Sequence, residues 1–244
     1  MEDAAYAEMY GQEDRHWWFR GRRELLWALL RRVDAPSSPR LLDAGCGTGR
    51  NLVEFGTLAR TLAGIDPSAE AVEFCRRRGL ENVRCAGLED LPFGPAEFDL
   101  LLACDVLEHV SDDRLALKEL LRVAAPGATL LVTVPAYQWM WTHHDDQLHH
   151  LRRYTRRALK RLVEDSGWNV VHDTYFNSLL LPIVTAMRLV SRGSSRQGHT
   201  DLDRTPALLN GALGLPMKLE AALIARGARF PAGVSIGVIS VKSA

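Results

Sequence analysis

The chain has 244 residues and only 4 cysteines, Cys46, Cys75, Cys85 and Cys104. No two share C-x-x-C spacing, which excludes a zinc knuckle of that kind, and a chain of this size needs no disulfide framework. Long hydrophobic runs are also missing. No stretch reaches the roughly 20 apolar residues of a membrane span, and the most apolar segment, Leu179 to Val190, contains Pro182 and Arg188. The first residues, MEDAAYAEMYGQED, lack the apolar core of a signal peptide. Net charge is absent as well: 30 basic residues balance 30 acidic ones, so global charge calls for no polyanionic partner. The expectation is a cytoplasmic protein with reduced thiols, no transmembrane segment and no nucleic-acid partner. At 47% hydrophobic and 25% charged residues, the composition suits one globular domain with a substantial core.

Strand and helix patterns alternate along the chain. Residues 1–33 read as helical, with Leu25, Leu26, Leu29 and Leu30 at helical spacing. RLLDAGCG is a buried strand entering a glycine turn, NLVEFGTLA a helix and TLAGID a second strand. PSAEAVEFCRRRG is a helix with Pro67 at an early helical position and Gly79 at its C-terminal cap. NVRCAG and FDLLLAC give a third and a fourth strand. DDRLALKELLRVAAPGA is a helix ended by Pro126 and Gly127, and TLLVTVPA a fifth strand. TRRALKRLVEDSGW is a helix with Thr155 as N-cap; NVVHDTYF and GVSIGVISVK are two more strands. Between those two lies an insertion of two helices around a polar stretch, SRGSSRQGHTDLDR. Such alternation implies a mostly parallel sheet with helices on both faces and ligands at the carboxyl ends of the strands.

LLDAGCGTGRNL carries the most information. Gly45, Gly47 and Gly49 follow a strand and precede a helix, a weak signal alone because nicotinamide-dinucleotide proteins share it. Asp43 stands just before the glycines, where its charge repels a pyrophosphate but suits a cationic amino-acid ligand. Asp66 ends the next strand, placed for ribose hydroxyls. With GIDPS, GLEDLPF, FDLLLACDVLEHV and LLRVAAPGATLLVTVP in the same order over about residues 40–135, the sequence resembles the class I S-adenosylmethionine-dependent methyltransferases. HWWFRGRRELL and W-x-x-HD-x-x-x-x-H-x-RRYT resemble a bacterial subgroup of their type 11/12 members.

The resemblance implies a Rossmann-like three-layer α/β/α sandwich with a seven-stranded, mostly parallel sheet, its last strand antiparallel beside the sixth. It divides the chain into an N-terminal helical cap, 1–36, and a methyltransferase domain, 37–244. The domain holds an active-site segment, 137–155, and a helical insertion, 178–230. It implies S-adenosyl-L-methionine as cofactor. Asp43, Gly45, Cys46, Gly47 and Gly49 line its methionine and ribose, Asp66 and Pro67 its ribose, and Leu88 and Glu89 its adenine. Cys104 and Asp105 face the sulfonium. Gly87 stands where many relatives have an acidic residue for the adenine amine, so that contact is not expected here. Nor is there an N/D-PPY motif at the fourth strand, where ACDVLEH stands, which argues against methylation of amide or nucleobase nitrogen.

YQWMWTHHDDQLHHLRRYT, residues 137–155, holds four of the 8 histidines. A metal site in the cluster is not expected, because His143, His144, Asp145 and Asp146 are sequential and do not converge. Acid–base chemistry fits better, since an acceptor hydroxyl must lose a proton and histidine titrates near neutrality. His144, Asp145, His150 and Tyr154 are the catalytic candidates; His109, Tyr137, Trp141 and Arg152 are the substrate-binding ones. The competing reading is structural: His150 and Tyr154, four apart, stitch the segment to the N-terminal cap, and Arg152, Arg153, Arg156 and Arg157 are a solvated helix face, Arg156 and Arg157 above all. At the N-terminus, Trp17, Trp18 and Phe19 form an aromatic lid, with Trp18 and Arg22 beside the cofactor. The insertion supplies a pocket wall, a dimer face or a peripheral membrane contact. The expected reaction is methyl transfer to oxygen, or nitrogen, of a small-molecule acceptor by a monomer or homodimer. A non-catalytic module and a nucleic-acid methyltransferase are the rivals.

Overall fold

The computed structural model describes residues 3–191 and 207–243. Strands β1 (Arg40–Ala44), β2 (Thr61–Asp66), β3 (Val83–Cys85), β4 (Phe98–Cys104), β5 (Ala124–Pro135), β6 (Asn169–Phe176) and β7 (Ser235–Val241) form one sheet. Its order is β3-β2-β1-β4-β5-β7-β6. β7 runs antiparallel to both β5 and β6, and the other neighbours are parallel. The order reverses between β1 and β4, so the crevice for a ligand opens at their carboxyl ends.

Successive strand residues point to opposite faces. Leu42, Leu101 and Leu130 join one core cluster; Leu41, Leu100 and Leu131 join the other. The helices are α1 (Asp3–Gln12), α2 (Trp17–Leu30), α3 (Arg50–Phe55), α4 (Ala69–Arg77), α5 (Asp113–Val123), α6 (His143–Gln147), α7 (Arg156–Asp165), α8 (Leu181–Ser191) and α9 (Ala207–Ala225). α5 and α7 cover the first face with Leu117, Leu120, Leu159 and Val163. α2, α3, α4 and α9 cover the second.

The first 33 residues do not make one helix. His16 caps α2 by accepting from the Trp18 N–H at 3.3 Å, and α1 is separate. The leucines of α2 are buried in the same cluster as the sheet, so α2 is a layer of the sandwich as well as a cover. α9 lies against α2, and a Cβ at Gly21 would fall 2.5 Å from Met217 Sδ, so glycine sets that approach. The other side of α9 leaves Leu215, Leu219 and Leu223 exposed as an apolar stripe. Among the described residues no helix is long and apolar enough to cross a membrane. The polar stretch 191–204 lies almost wholly outside the described residues.

Two boundaries differ from expectation. α4 begins at Ala69 with Ser68 as its cap, so Pro67 precedes the helix; the Ser68 hydroxyl, accepting from the Ala71 N–H at 3.3 Å, sets the start. α5 ends at Val123, before Pro126, because Ala124 already has extended backbone and β5 begins there.

Trp168 is 1% exposed, and its indole N–H donates to Leu117 O at 3.1 Å across the core. Trp168→Ala is expected to lose about 3–5 kcal/mol in urea unfolding. Trp139→Ala, at a half-exposed site, should change stability by less than about 0.5 kcal/mol.

Candidate active site

The crevice is built on the turn after β1. Gly45 and Gly47 have φ of +80° and +53°, where a side chain is strained. A Cβ at Gly45 would also lie 2.4 Å from Val106, so the turn can rest against the loop after β4 only with glycine. Asp66 accepts from the Gly47 N–H at 2.9 Å, the Ser68 N–H at 3.0 Å and the Tyr6 hydroxyl at 3.2 Å. Burial still pushes its pKa upward. Asp43 is fully buried, and neither carboxylate oxygen has a hydrogen-bond partner among the described residues. Burial raises its pKa to about 7; Asp66 adds to the shift and Arg22 opposes it. Arg22 itself reaches across from α2 to Asp105 at 2.5 Å. Asp105 follows β4 at φ +53° and is held by Thr133, through N–H to Thr133 O at 2.8 Å and from Thr133 Oγ1 at 3.1 Å.

α1 forms an unexpected wall. Tyr6 is buried against Asp66, and Met9 Cε comes within 3.1 Å of the position a Gly47 Cβ would take. The turn between α1 and α2 is latched to the glycine loop. Glu13 accepts from the Thr48 hydroxyl and from Arg78 at 2.5 Å, while Arg78 Nε donates to Thr48 O at 2.9 Å. The acidic, small-residue stretch of α1 gave no signal of this role.

Several expected cofactor residues behave otherwise as side chains. The Cys46 sulfur turns into the core, 3.9 Å from the Cys75 sulfur, so only its backbone is offered to a ligand. Pro67 is exposed, and its carbonyl accepts from Cys85. Leu88 is core. Glu89 accepts from the Asp112 N–H at 3.0 Å and fixes the entry to α5. Gly87 has no atom within 4 Å of a Cβ position, so open space adjoins it. Cys104 is buried beside Asp105, and burial pushes its thiol pKa up. Trp18 packs against the second core cluster, edge-on to Trp17 at 5.9 Å.

The segment after β5 is organised by Asp145. This carboxylate is fully buried. It accepts from the Thr142 N–H at 2.8 Å, closing a capping box on α6, from Arg153 Nε at 2.7 Å, and pairs with His150 Nδ1 at 2.8 Å. Burial works to raise its pKa, but the His150 bond and the Arg153 charge outweigh it and hold it well below the usual carboxylate range. The histidine that Asp145 orients is therefore His150; His143 and His144 stand exposed on α6.

Residues 151–154 are laced onto the turn after β4. Leu151 N–H donates to Glu108 O at 2.7 Å, and Arg152 to Ser111 O at 2.9 Å and to Asp113 at 3.0 Å. The Tyr154 hydroxyl donates to Asp113 at 2.8 Å, with Leu107 O 3.2 Å away. Tyr154 and Arg152, expected as catalytic and substrate-binding, thus make their polar contacts on the turn after β4 and the start of α5. His109 stands edge-on to His150 with ring centroids 4.7 Å apart; burial, then His150, lowers its pKa to about 4, so it is neutral at physiological pH. Next to it Glu108 is buried and its Oε2 has no partner among the described residues, a feature the sequence reading passed over. Tyr137, at φ +58°, stacks on Tyr175 at 5.1 Å, and the Trp141 indole donates to Asp146 at 2.9 Å.

Comparison with known proteins bears on the family and the fold. A family model described as a methyltransferase domain matches residues 15–173. A protein of Mycolicibacterium smegmatis described as a probable S-adenosylmethionine-dependent methyltransferase is 29% identical over 163 residues, 66% of this chain and 62% of that one. The O-methyltransferase rstn1 of Aspergillus nomiae is 34% identical over 109 residues, covering 41% of this chain and 48% of that one. Relatives named probable tRNA methyltransferase 9B match as well. A Haloferax volcanii chain solved in complex with the Trm112 methyltransferase activator superposes with a TM-score of 0.64 at 20% identity, over 99% of this chain and 96% of that one. The chain spans less than two thirds of the length of the first curated relatives it matches, 41%, 62% and 48%.

Removing Arg153 leaves a buried charge without its main counter-ion. Arg153→Ala is expected to lower stability by about 3–5 kcal/mol in denaturant unfolding. His143→Ala, at an exposed site, should leave it unchanged within error.

Proposed function

We propose, from the premise that the chain belongs to the methyltransferase-domain family of S-adenosylmethionine-dependent enzymes, that it transfers a methyl group from that cofactor to an oxygen of a small-molecule acceptor. The observation that carries the cofactor assignment is Asp43. A buried carboxylate with two unsatisfied oxygens is costly unless a ligand supplies donors and positive charge, and the ammonium of the cofactor's methionine supplies both. Asp66 beside the glycine turn suits the ribose hydroxyls, and the open space at Gly87 leaves room for the adenine. The cofactor brings the reactive methyl as a sulfonium. The chain's own part is to hold it, exclude water with α1 and α2, align the acceptor and receive the acceptor's proton.

The reading assigns that last role to His144, on the short helix whose capping box Asp145 closes. His109, Tyr137 and Trp141 line the acceptor side. The small-molecule reading draws on O-methyltransferase relatives and on α7, whose Arg156 pairs with Asp173 at 3.2 Å and whose Lys160 faces Glu164. Basic residues already paired within the protein offer less to a polyphosphate. The tRNA-methyltransferase relatives keep nucleic acid as the second reading, and salt-dependent RNA binding by the purified chain would favour it. The proposed setting is cytoplasmic, and the unjoined thiols of Cys46 and Cys75 support a reducing compartment.

Titration calorimetry with S-adenosylhomocysteine tests the cofactor site. Asp43→Asn is expected to weaken binding by roughly 30-fold or more, the lower end of the effect of removing one partner from a buried charge pair. The pH dependence has a definite sign. Free Asp43 is protonated below about 7 and must ionise to pair with the ammonium. Affinity should therefore rise with pH up to about 7 and level off above it, with binding releasing a proton on the acid side. Affinity independent of pH between 5.5 and 8, values chosen to straddle about 7, would sink this assignment.

Turnover is tested with methyl-labelled cofactor and a panel of hydroxylated small molecules. Label transfer to oxygen supports the reading; cofactor binding without transfer to any acceptor would mark an inert module. His144→Ala should lower kcat by about 100-fold or more near neutral pH while the cofactor still binds. Full turnover in that variant would remove His144 as the base.

A further inference from the structure

We infer that Glu108, His109 and His150 form a binding site for one divalent first-row transition ion on the acceptor side of the crevice. Glu108 and His109 come from the single 3₁₀ turn after β4 (Leu107–His109), and His150 from the stretch after α6. The bond from Leu151 N–H to Glu108 O, 2.7 Å, fastens the two stretches together. Each residue offers one ligand atom, and these atoms lie within 4.8 Å of one another. A tetrahedral ion with bonds of about 2.0–2.1 Å holds its ligand atoms roughly 3.4 Å apart, so small side-chain rotations close the set.

Two observations point to a ligand beyond this proximity. Glu108 is 1% exposed, and its Oε2 lacks a hydrogen-bond partner among the described residues. A buried carboxylate oxygen in that state needs a donor or a cation. The second is the tautomer of His150. With Nδ1 bonded to the carboxylate of Asp145 at 2.8 Å, Nε2 keeps its lone pair for a ligand. A carboxylate behind a ligating imidazole is how proteins orient metal-binding histidines, and Asp145 is itself fixed by Arg153 and Thr142. Two imidazoles and one carboxylate suit zinc, ferrous iron, cobalt or manganese better than calcium or magnesium, which prefer oxygen alone.

Three protein ligands leave coordination positions open. Glu108 lies three residues after Asp105, which adjoins Arg22 in the crevice. An acceptor hydroxyl at an open position ionises more readily under the charge of the ion. Its proton leaves to His144 or solvent. The oxygen's electron pair forms a C–O bond to the methyl carbon as the C–S bond breaks, and that bonding pair stays on sulfur as the neutral thioether of S-adenosylhomocysteine. This use of the site rests on the proposed methylation of oxygen; ion binding does not.

The test uses the full chain stripped with a chelator and titrated with cobalt(II), read by its visible d–d absorption. S-adenosylhomocysteine binding is measured on the same sample. One equivalent of cobalt with a ligand-field spectrum of four or five coordination is expected, within the range that such His/carboxylate sites give. Glu108→Gln and His109→Asn should each weaken it by at least the roughly 10–100-fold that follows loss of an outer-shell partner. His143→Ala, an exposed neighbour, should not change it. Glu108→Gln keeps the side-chain volume, and circular dichroism verifies folding of each variant. A folded chain that takes up no stoichiometric cobalt, or whose uptake ignores both ligand variants, overturns the site. Cobalt bound as expected with no methyl transfer to oxygen keeps the ion site and removes the oxygen reading. Failure to bind S-adenosylhomocysteine removes the cofactor reading alone.

Discussion

A carboxylate cannot be taken out of water without charge and donors to replace the water, and at Asp145 this requirement shapes one whole side of the crevice. The group is fully buried and has Arg153, His150 and the Thr142 N–H around it. Arg153 also donates to Ala136 O at 3.1 Å, so the same guanidinium ties the end of β5 to the segment that follows. Capping of α6, the tautomer of His150 and the return of the chain to the turn after β4 all follow from satisfying one buried negative charge. Replacing that charge with an apolar group would remove the reason for the segment to fold where it does.

Other buried carboxylates near the carboxyl ends of the strands are treated differently. Among the described residues Asp66 has three donors, whereas Asp43 has none, and Glu108 keeps one oxygen without a partner. Native interiors rarely leave such atoms unpaired. Where they do, beside a glycine turn and beside two imidazoles, the deficit is a specification for what must bind: a cation with several donors at Asp43, and a cation that accepts nitrogen and oxygen ligands at Glu108. Buried acids with partners build the walls; those without partners define the contents.

The strands and the cofactor turn were legible because they rest on local signals, while the place of the last strand in the sheet came from the family resemblance. Short buried apolar runs in LLDA and FDLLLAC, Gly45 and Gly47 directly after a strand, and a carboxylate at the end of β1 all leave marks a few residues long. The acceptor side was read less well for a physical reason. The contacts that decide it carry no short-range pattern: Asp145 with Arg153, Leu151 with Glu108, and Tyr154 with Asp113. The resemblance of YQWMWTHHDDQLHHLRRYT to the subgroup left His144 and His150 as candidates alike, with Asp145 as a partner; the side chain bonded to Asp145 belongs to His150. The stitching weighed for His150 and Tyr154 was to the N-terminal cap; the Tyr154 hydroxyl lies instead on Asp113, at the start of α5. Helix ends were misplaced where a proline looked like the stronger signal than the serine cap or the extended backbone next to it.

The hydroxyl of Tyr6 gives the closed crevice a property of its own. It rests on the same Asp66 oxygen that also accepts from the Ser68 N–H. A diol arriving at Asp66 meets a carboxylate that is already dry and already occupied, so its entry is a substitution of one hydroxyl for another. The net count of hydrogen bonds barely changes. What changes is the tie between Asp66 and α1: the hydroxyl given up belongs to that helix, whose following turn stays fastened through Glu13 to Thr48 and Arg78.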